Sequence, residues 1–191
     1  MARSRFRMPA LAFLVACALP SGASAATLGG VTAPLPGAAQ TTGPIVLKGQ
    51  PGPTVSGRRG VLIGGVGYAP AKAPDAVKRV IWAANKLRHK PYKWGGGHGS
   101  FGDSGYDCSG SVSYALHGGG LLDSPLDSRG FMRWGKGGAG RWITVYATDG
   151  HAYMIVAGLR FDTSGAGEHG PRWRPEPPWE RNFRARHPAG L

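Results

Sequence analysis

Apolar residues first recur at helical spacing over residues 75–89. Val77, Val80, Ile81, Ala84 and Leu87 fall on one face, and Lys78, Arg79, Asn85, Lys86 and Arg88 on the other, the pattern of an amphipathic helix laid on a core. Lys90-Pro91 ends it, because proline disfavours helical geometry in the residue before it. A second helical pattern, Val112, Ala115 and Leu116, follows Asp107-Cys108-Ser109-Gly110 and is halted by Gly118-Gly119-Gly120. Asp107 is a favoured N-cap for it. After an irregular stretch over 121–141 the period changes. Residues 142–147, 151–156 and 159–163 read as three strands, joined by tight turns at Asp149-Gly150 and Ala157-Gly158. The expected order is helix, cysteine-bearing helix, then antiparallel sheet, an α+β arrangement.

The N-terminal third shows no such period. From 26 to 73 the chain is Gly, Pro, Ala, Thr and Val, with Pro34, Pro36, Pro44, Pro51, Pro53 and Pro70 scattered through it. Such a segment buries too little apolar surface to offset the entropy of ordering, which predicts a flexible arm. Val61-Leu62-Ile63-Gly64-Gly65-Val66 is its exception, either a short strand or a strip covering the domain. Residues 1–25 read as an export signal: Arg3, Arg5 and Arg7, an apolar core over 8–19, and Ala23-Ser24-Ala25 as cleavage site. The segment is too short for a stable bilayer anchor. Leu14-Val15-Ala16-Cys17 also looks like a lipoprotein box, with Cys17 lipidated. Either route takes the protein out of the cytoplasm. The expected catalytic domain is then 74–191, ending in a Gly/Pro-rich tail that carries Trp173 and Trp179.

Export changes the meaning of the cysteines. The chain has two, Cys17 and Cys108, so cleavage after Ala25 leaves one. A lone cysteine argues against a disulfide framework and for a reactive thiol. Cys108 falls in the first turn of its helix, where unpaired N–H groups and the helix dipole favour a thiolate. The net charge of +13 points to an anionic partner, which outside a cytoplasm means cell-wall polymer or membrane surface more readily than nucleic acid.

A thiol nucleophile needs a base, and imidazole suits that task near neutral pH. His151 opens a strand directly after a tight turn and is the best placed of the six histidines. His89, His98 and His117 read as solvated, and His187 as part of the tail. A third polar group should hold the far ring nitrogen. Asp162 is preferred, since the hairpin at Ala157-Gly158 brings it to the same end of the sheet; Thr163 faces the other side and His169 lies farther into the loop.

Pro91-Tyr92-Lys93-Trp94-Gly95-Gly96-Gly97, then Asp107-Cys108-Ser109-Gly110 opening a helix, then a histidine starting a strand, resembles the NlpC/P60 family of cell-wall cysteine peptidases over about residues 74–165. The resemblance implies a papain-like α+β fold, with N-terminal helices, one carrying the nucleophile, packed on an antiparallel sheet. It implies Cys108 as nucleophile and His151 as base, with Tyr92, Asp107 and Ser109 lining the neighbouring substrate subsite. It further implies hydrolysis of amide bonds in peptidoglycan stem peptides, often the bond from D-glutamate to a diamino acid. The chain departs from the family pattern in three places. Gly138-Ala139-Gly140-Arg141-Trp142-Ile143 stands where Pro-Gly-Asp-Leu is usual, Ala152-Tyr153-Met154-Ile155 replaces Val-Gly-Ile-Tyr, and Asp162 or Thr163 falls where a histidine is common.

Other chemistry lacks its context. Gly135-Lys136-Gly137-Gly138-Ala139-Gly140 has dinucleotide-fingerprint spacing, but no apolar strand precedes it and a strand follows where a helix is needed. No Walker lysine, clustered metal ligands or Ca-loop spacing is present, so neither cofactor nor metal is expected. The expectation is an exported peptidoglycan hydrolase. A catalytically silent wall-binding module and an acyl transferase using the same thiol are the alternatives.

Overall fold

The first helix, α1 (Asp75–Leu87), buries the face its spacing predicts: Val77, Val80, Ile81, Ala84 and Leu87 are no more than 1 % exposed. The computed structural model describes residues 52–165, 169–174 and 182–191, all within one compact unit. The export signal, Cys17, most of the arm and Trp179 lie outside the described residues. The second helix, α2 (Cys108–Gly118), packs along α1. Contact is close because Gly118 and Gly119 lack side chains: a Cβ on Gly118 would sit 2.3 Å from the Ala83 Cβ, and one on Gly119 would sit 2.4 Å from Val80. The glycines that stop α2 therefore also set the helix separation. A third, one-turn helix, α3 (Ser128–Phe131), lies within the stretch read as irregular.

Both helices rest on a wholly antiparallel six-stranded sheet, which gives the α+β architecture expected of helices over a sheet. Its centre is a meander of three strands close to the predicted ones, Ile143–Ala147, Ala152–Val156 and Leu159–Asp162. Val145, Met154, Phe161 and Trp173 share the face toward the core, as strand alternation requires. The other three strands are not legible as a sheet from their own residues. Lys136–Gly137 and Arg184–His187 extend one side and Arg172–Arg174 the other. Two described parts of the tail, Arg172–Arg174 and Arg184–His187, are therefore strands of the sheet itself. Arg184–His187 lies between Lys136–Gly137 and Ile143–Ala147. From it, Arg186 donates to the carbonyl oxygens of Arg133, Trp134 and Gly135 at 2.9, 2.6 and 3.1 Å.

A second correction concerns the arm. Its residues from Thr54 to Pro70 form a three-stranded sheet: Thr54–Val55, Val61–Ile63 and Val66–Pro70, the last in the middle. We number the strands β1 to β9 in chain order, so these are β1–β3, Lys136–Gly137 is β4, the meander is β5–β7, Arg172–Arg174 is β8 and Arg184–His187 is β9. β3 packs against α1, burying the helix on a second side. Asn85 is accordingly 7 % exposed rather than on a solvated face. Its Oδ1 accepts from Gly67 N at 2.8 Å and from Trp173 Nε1 at 2.7 Å, and its Nδ2 donates to Gly67 O at 2.8 Å. Gly67 is required there, since a Cβ would meet the Trp173 ring at 2.8 Å. Trp82 Nε1 donates to Pro53 O at 3.0 Å. Hydrogen bonds thus hold this strap where apolar area alone is too small.

Candidate active site

Asp107 caps α2 as its residue type predicts: Oδ1 accepts from Gly110 N at 2.8 Å, leaving Cys108 as the first helical residue. At that position the backbone N–H has no acceptor within the helix. Cys108 is a free cysteine, 9 % exposed. The β6–β7 hairpin brings a histidine to it. His151 stands just before β6 (Ala152–Val156) and Asp162 ends β7 (Leu159–Asp162). The turn at Ala157-Gly158 uses positive φ at both residues, 50° and 85°.

His151 Nε2 is 2.9 Å from Asp162 Oδ1, and Cys108 lies close enough to the same imidazole to shift its titration. With Nε2 donating to the carboxylate, Nδ1 is the nitrogen left for sulfur. It is Asp162, rather than Thr163 or His169, that meets the ring. His169 lines a separate cavity with Arg88, His89, Lys90 and Arg172. Phe183, just before β9, stands edge-on to His151 with centroids 6.2 Å apart.

The electrostatics follow from this packing. Burial pulls the His151 pKa down, but the hydrogen bonds and charges of Asp162 and Cys108 outweigh it and raise it to about 9. For Asp162, burial pushes upward and the hydrogen bonds of His151 and Ser164 reverse it, holding the carboxyl well below the usual carboxylate range. Such a pair keeps the imidazole positive beside the sulfur across the neutral range, the state in which a cysteine attacks a carbonyl and an imidazolium protonates the leaving group.

A cavity of about 240 Å³ opens at Cys108, walled by Trp94, His98, Asp107 and Ser109 and, from later loops, by Asp127 and Asp149. Trp94 is 85 % exposed at its rim. Asp107 and Ser109 thus stand where a subsite beside the sulfur would be. Tyr92 is not in this wall; its phenol is pushed up first by burial, then by the charges of Cys108 and Asp107, so it lies within electrostatic reach of both. Tyr92 pairs with Tyr106 in an isolated bridge that ties the loop start to the residue before Asp107.

His98 overturns its reading as solvated. Its Nε2 lies 3.0 and 2.9 Å from the two Asp107 carboxylate oxygens and 3.3 Å from Ser109 Oγ. Asp107 Oδ2 also accepts from Gly95 N at 3.2 Å, so one carboxylate joins helix cap, glycine loop and histidine. The only local signal for this was Gly95-Gly96-Gly97 directly before His98. A Cβ on Gly96 would meet the Gly105 carbonyl oxygen at 2.4 Å, and one on Gly97 the Tyr106 ring at 2.7 Å; that closeness lets the loop return along residues 105–107. His117 is solvent-exposed as expected, yet stacks on Phe101 with centroids 3.8 Å apart, and His187 belongs to β9. Among the described residues no group of three or more His, Cys, Asp or Glu is placed to hold a metal ion, and no helix is long and apolar enough to cross a membrane.

Solved NlpC/P60 proteins are similar to this chain. The P60 domain of an antigen from M. avium subspecies paratuberculosis is 24 % identical, over 58 % of this chain and 93 % of that one, with a TM-score of 0.44. The peptidoglycan hydrolase RipB from Mycobacterium tuberculosis is 24 % identical, over 59 % of this chain and 64 % of that one, at 0.46. NlpC1 from Trichomonas vaginalis is 18 % identical, over 60 % and 44 %, at 0.45. No protein-family model matches the chain, and no curated protein matches it.

Proposed function

We propose that this chain is an exported cysteine peptidase of the NlpC/P60 type that hydrolyses amide bonds in peptidoglycan stem peptides. The observation that carries the reading is the alignment of a thiol in the first turn of α2 with an imidazole whose far nitrogen is held by a buried carboxylate. The composition of residues 1–25 supports export, and the net charge of +13 suits an anionic wall polymer.

In this reading the Cys108 thiolate attacks the amide carbonyl carbon and forms the C–S bond. The oxyanion takes a hydrogen bond from the Cys108 backbone N–H, a type of contact worth roughly 10²–10³ in rate. His151 gives its proton to the nitrogen as the C–N bond breaks, and the amine leaves. Water then attacks the thioester, His151 takes its proton, and the thiolate departs from the acyl carbon. Asp162 keeps the ring in one tautomer throughout. Asp107 and Ser109, with Tyr92 near them, contact the peptide beside the scissile bond, the D-glutamyl to diamino acid link being the preferred target.

Purified protein and Cys108→Ala, each incubated with sacculi, test it. Peptide fragments identified by mass spectrometry should appear with the wild type alone. Equal release by both refutes the mechanism, and retention on sacculi without release identifies a silent binding module instead.

A further inference from the structure

Asp162 is 1 % exposed, and four donors converge on its carboxylate. Oδ1 accepts from His151 Nε2 at 2.9 Å and from Ser164 N at 3.0 Å; Oδ2 accepts from Ser164 Oγ at 2.6 Å and from Arg160 NH2. Ser164 spans the carboxylate, its N–H on Oδ1 and its hydroxyl on Oδ2, and Arg160 bonds Oδ2, the oxygen away from His151.

The setting of Arg160 is built rather than incidental. Strand alternation puts Arg160 and Asp162 side by side on one face of β7, while Phe161 between them enters the core. Arg160 is 7 % exposed. Its guanidinium carbon lies 4.3 Å over the Tyr153 ring, and Tyr153 in turn stacks on Tyr146 at 5.1 Å. The same NH2 reaches Ser164 Oγ at 3.2 Å. Arg172, opposite Asp162 in the register, sends its NH2 to Gly165 O at 3.0 Å. A planar cation with an aromatic floor and a carboxylate beside it has one orientation, which a lysine cannot reproduce. With Oδ2 so fixed, Oδ1 is left facing His151.

We propose that Arg160 is a positioning residue for the Cys108–His151 pair, holding the Asp162 carboxylate in the rotamer that keeps Oδ1 on His151 Nε2 and acting only through Asp162. This rests on Cys108 being the nucleophile of the proposed peptidase. A role confined to stabilising the sheet would leave the thiol chemistry alone or add to the effect of losing Asp162.

The test is a double-mutant cycle read by the rate of Cys108 alkylation with iodoacetamide near pH 6, where an ordinary thiol is mostly unreactive, on the full chain and without any substrate. Arg160→Met should slow alkylation by about tenfold, within the usual coupling of contacting charged groups, and Arg160→Lys should recover only part of that. In an Asp162→Asn background, Arg160→Met should change the rate by less than about twofold. Circular dichroism checks the fold; if Arg160→Met does not fold, Arg160→Lys in the same cycle decides the matter. An unchanged rate in the folded variant, or effects that multiply across the two sites, overturns the proposal. A wild-type thiol no faster than free cysteine overturns the nucleophile reading beneath it.

Discussion

Asp162→Asn separates the carboxylate's charge from its shape. His151 carries its proton to about pH 9 against an ordinary 6.5, a difference of about 3 kcal/mol at 1.36 per unit. Solvent at a ring that is 26 % exposed screens this to about 2 kcal/mol. Burial works against it, and Cys108 supplies part. If Asp162 supplies half, its neutralisation moves the titration of His151 down by roughly one pH unit. In the proposed mechanism the imidazolium protonates the leaving amine, so the alkaline limb of kcat/KM should lie near pH 9 in the wild type and about one unit lower in the variant. An asparagine can also present its amide N–H₂ to the ring and select the wrong tautomer, which lowers the plateau by roughly 10²–10⁴. The assay is kcat/KM for a stem-peptide fragment between about pH 5 and about pH 10, fitted to two ionisations. An alkaline limb that does not move, with a plateau within about threefold of wild type, would refute the assignment of Asp162 as the group that sets His151.

Three further outcomes follow from the packing. Because the folded pKa of His151 is raised, its contribution to stability is complete below about pH 6.5 and is lost as pH rises through about 9; Tm should fall across that window, less steeply in Asp162→Asn, and equal slopes would contradict the coupling. Asn85→Leu strands Gly67 N, Gly67 O and the Trp173 indole, which should lower stability by about 2–4 kcal/mol, seen as a lower urea midpoint at constant slope; a change below about 0.5 kcal/mol would show that the clasp is dispensable. Gly118→Ala places a Cβ 2.3 Å from that of Ala83 and should cost about 1–3 kcal/mol despite alanine's better helix propensity, with part of the loss recovered by adding Ala83→Gly.

Local periodicity was enough for the elements that stand on their own residues. The buried face of α1, the cap at Asp107 and the β6–β7 turn depend on neighbours within a few positions, and the His151–Asp162 approach follows from hairpin geometry alone. What escaped depends on distant partners. Asn85 reads as solvated until β3 and Trp173, 18 and 88 positions away, supply its hydrogen bonds. His98 looks like a loop residue because the return of the glycine loop to Asp107 is fixed by backbone closeness, which a sequence of glycines does not encode as direction. Within the strap over residues 54–70 only residues 61–66 announce themselves, as a short strand or covering strip; the rest has too little apolar surface and is held by Trp82 and Asn85. β9, Arg184-Ala185-Arg186-His187, carries no apolar alternation; its place is set by the vacant edges of β4 and β5 and by the carbonyls that Arg186 reaches.

The position of β9 imposes an order on synthesis. A chain emerging from the ribosome has β5, β6 and β7 before β9, so the hairpin that joins His151 to Asp162 can form while the outer edge of β5 still lacks its neighbour. An unpaired edge of that kind recruits strands from other chains. The interval of greatest aggregation risk therefore ends only when residues 184–186 are available to pair with β5. A nascent or proteolysed chain cut before residue 184 would remain in that interval permanently.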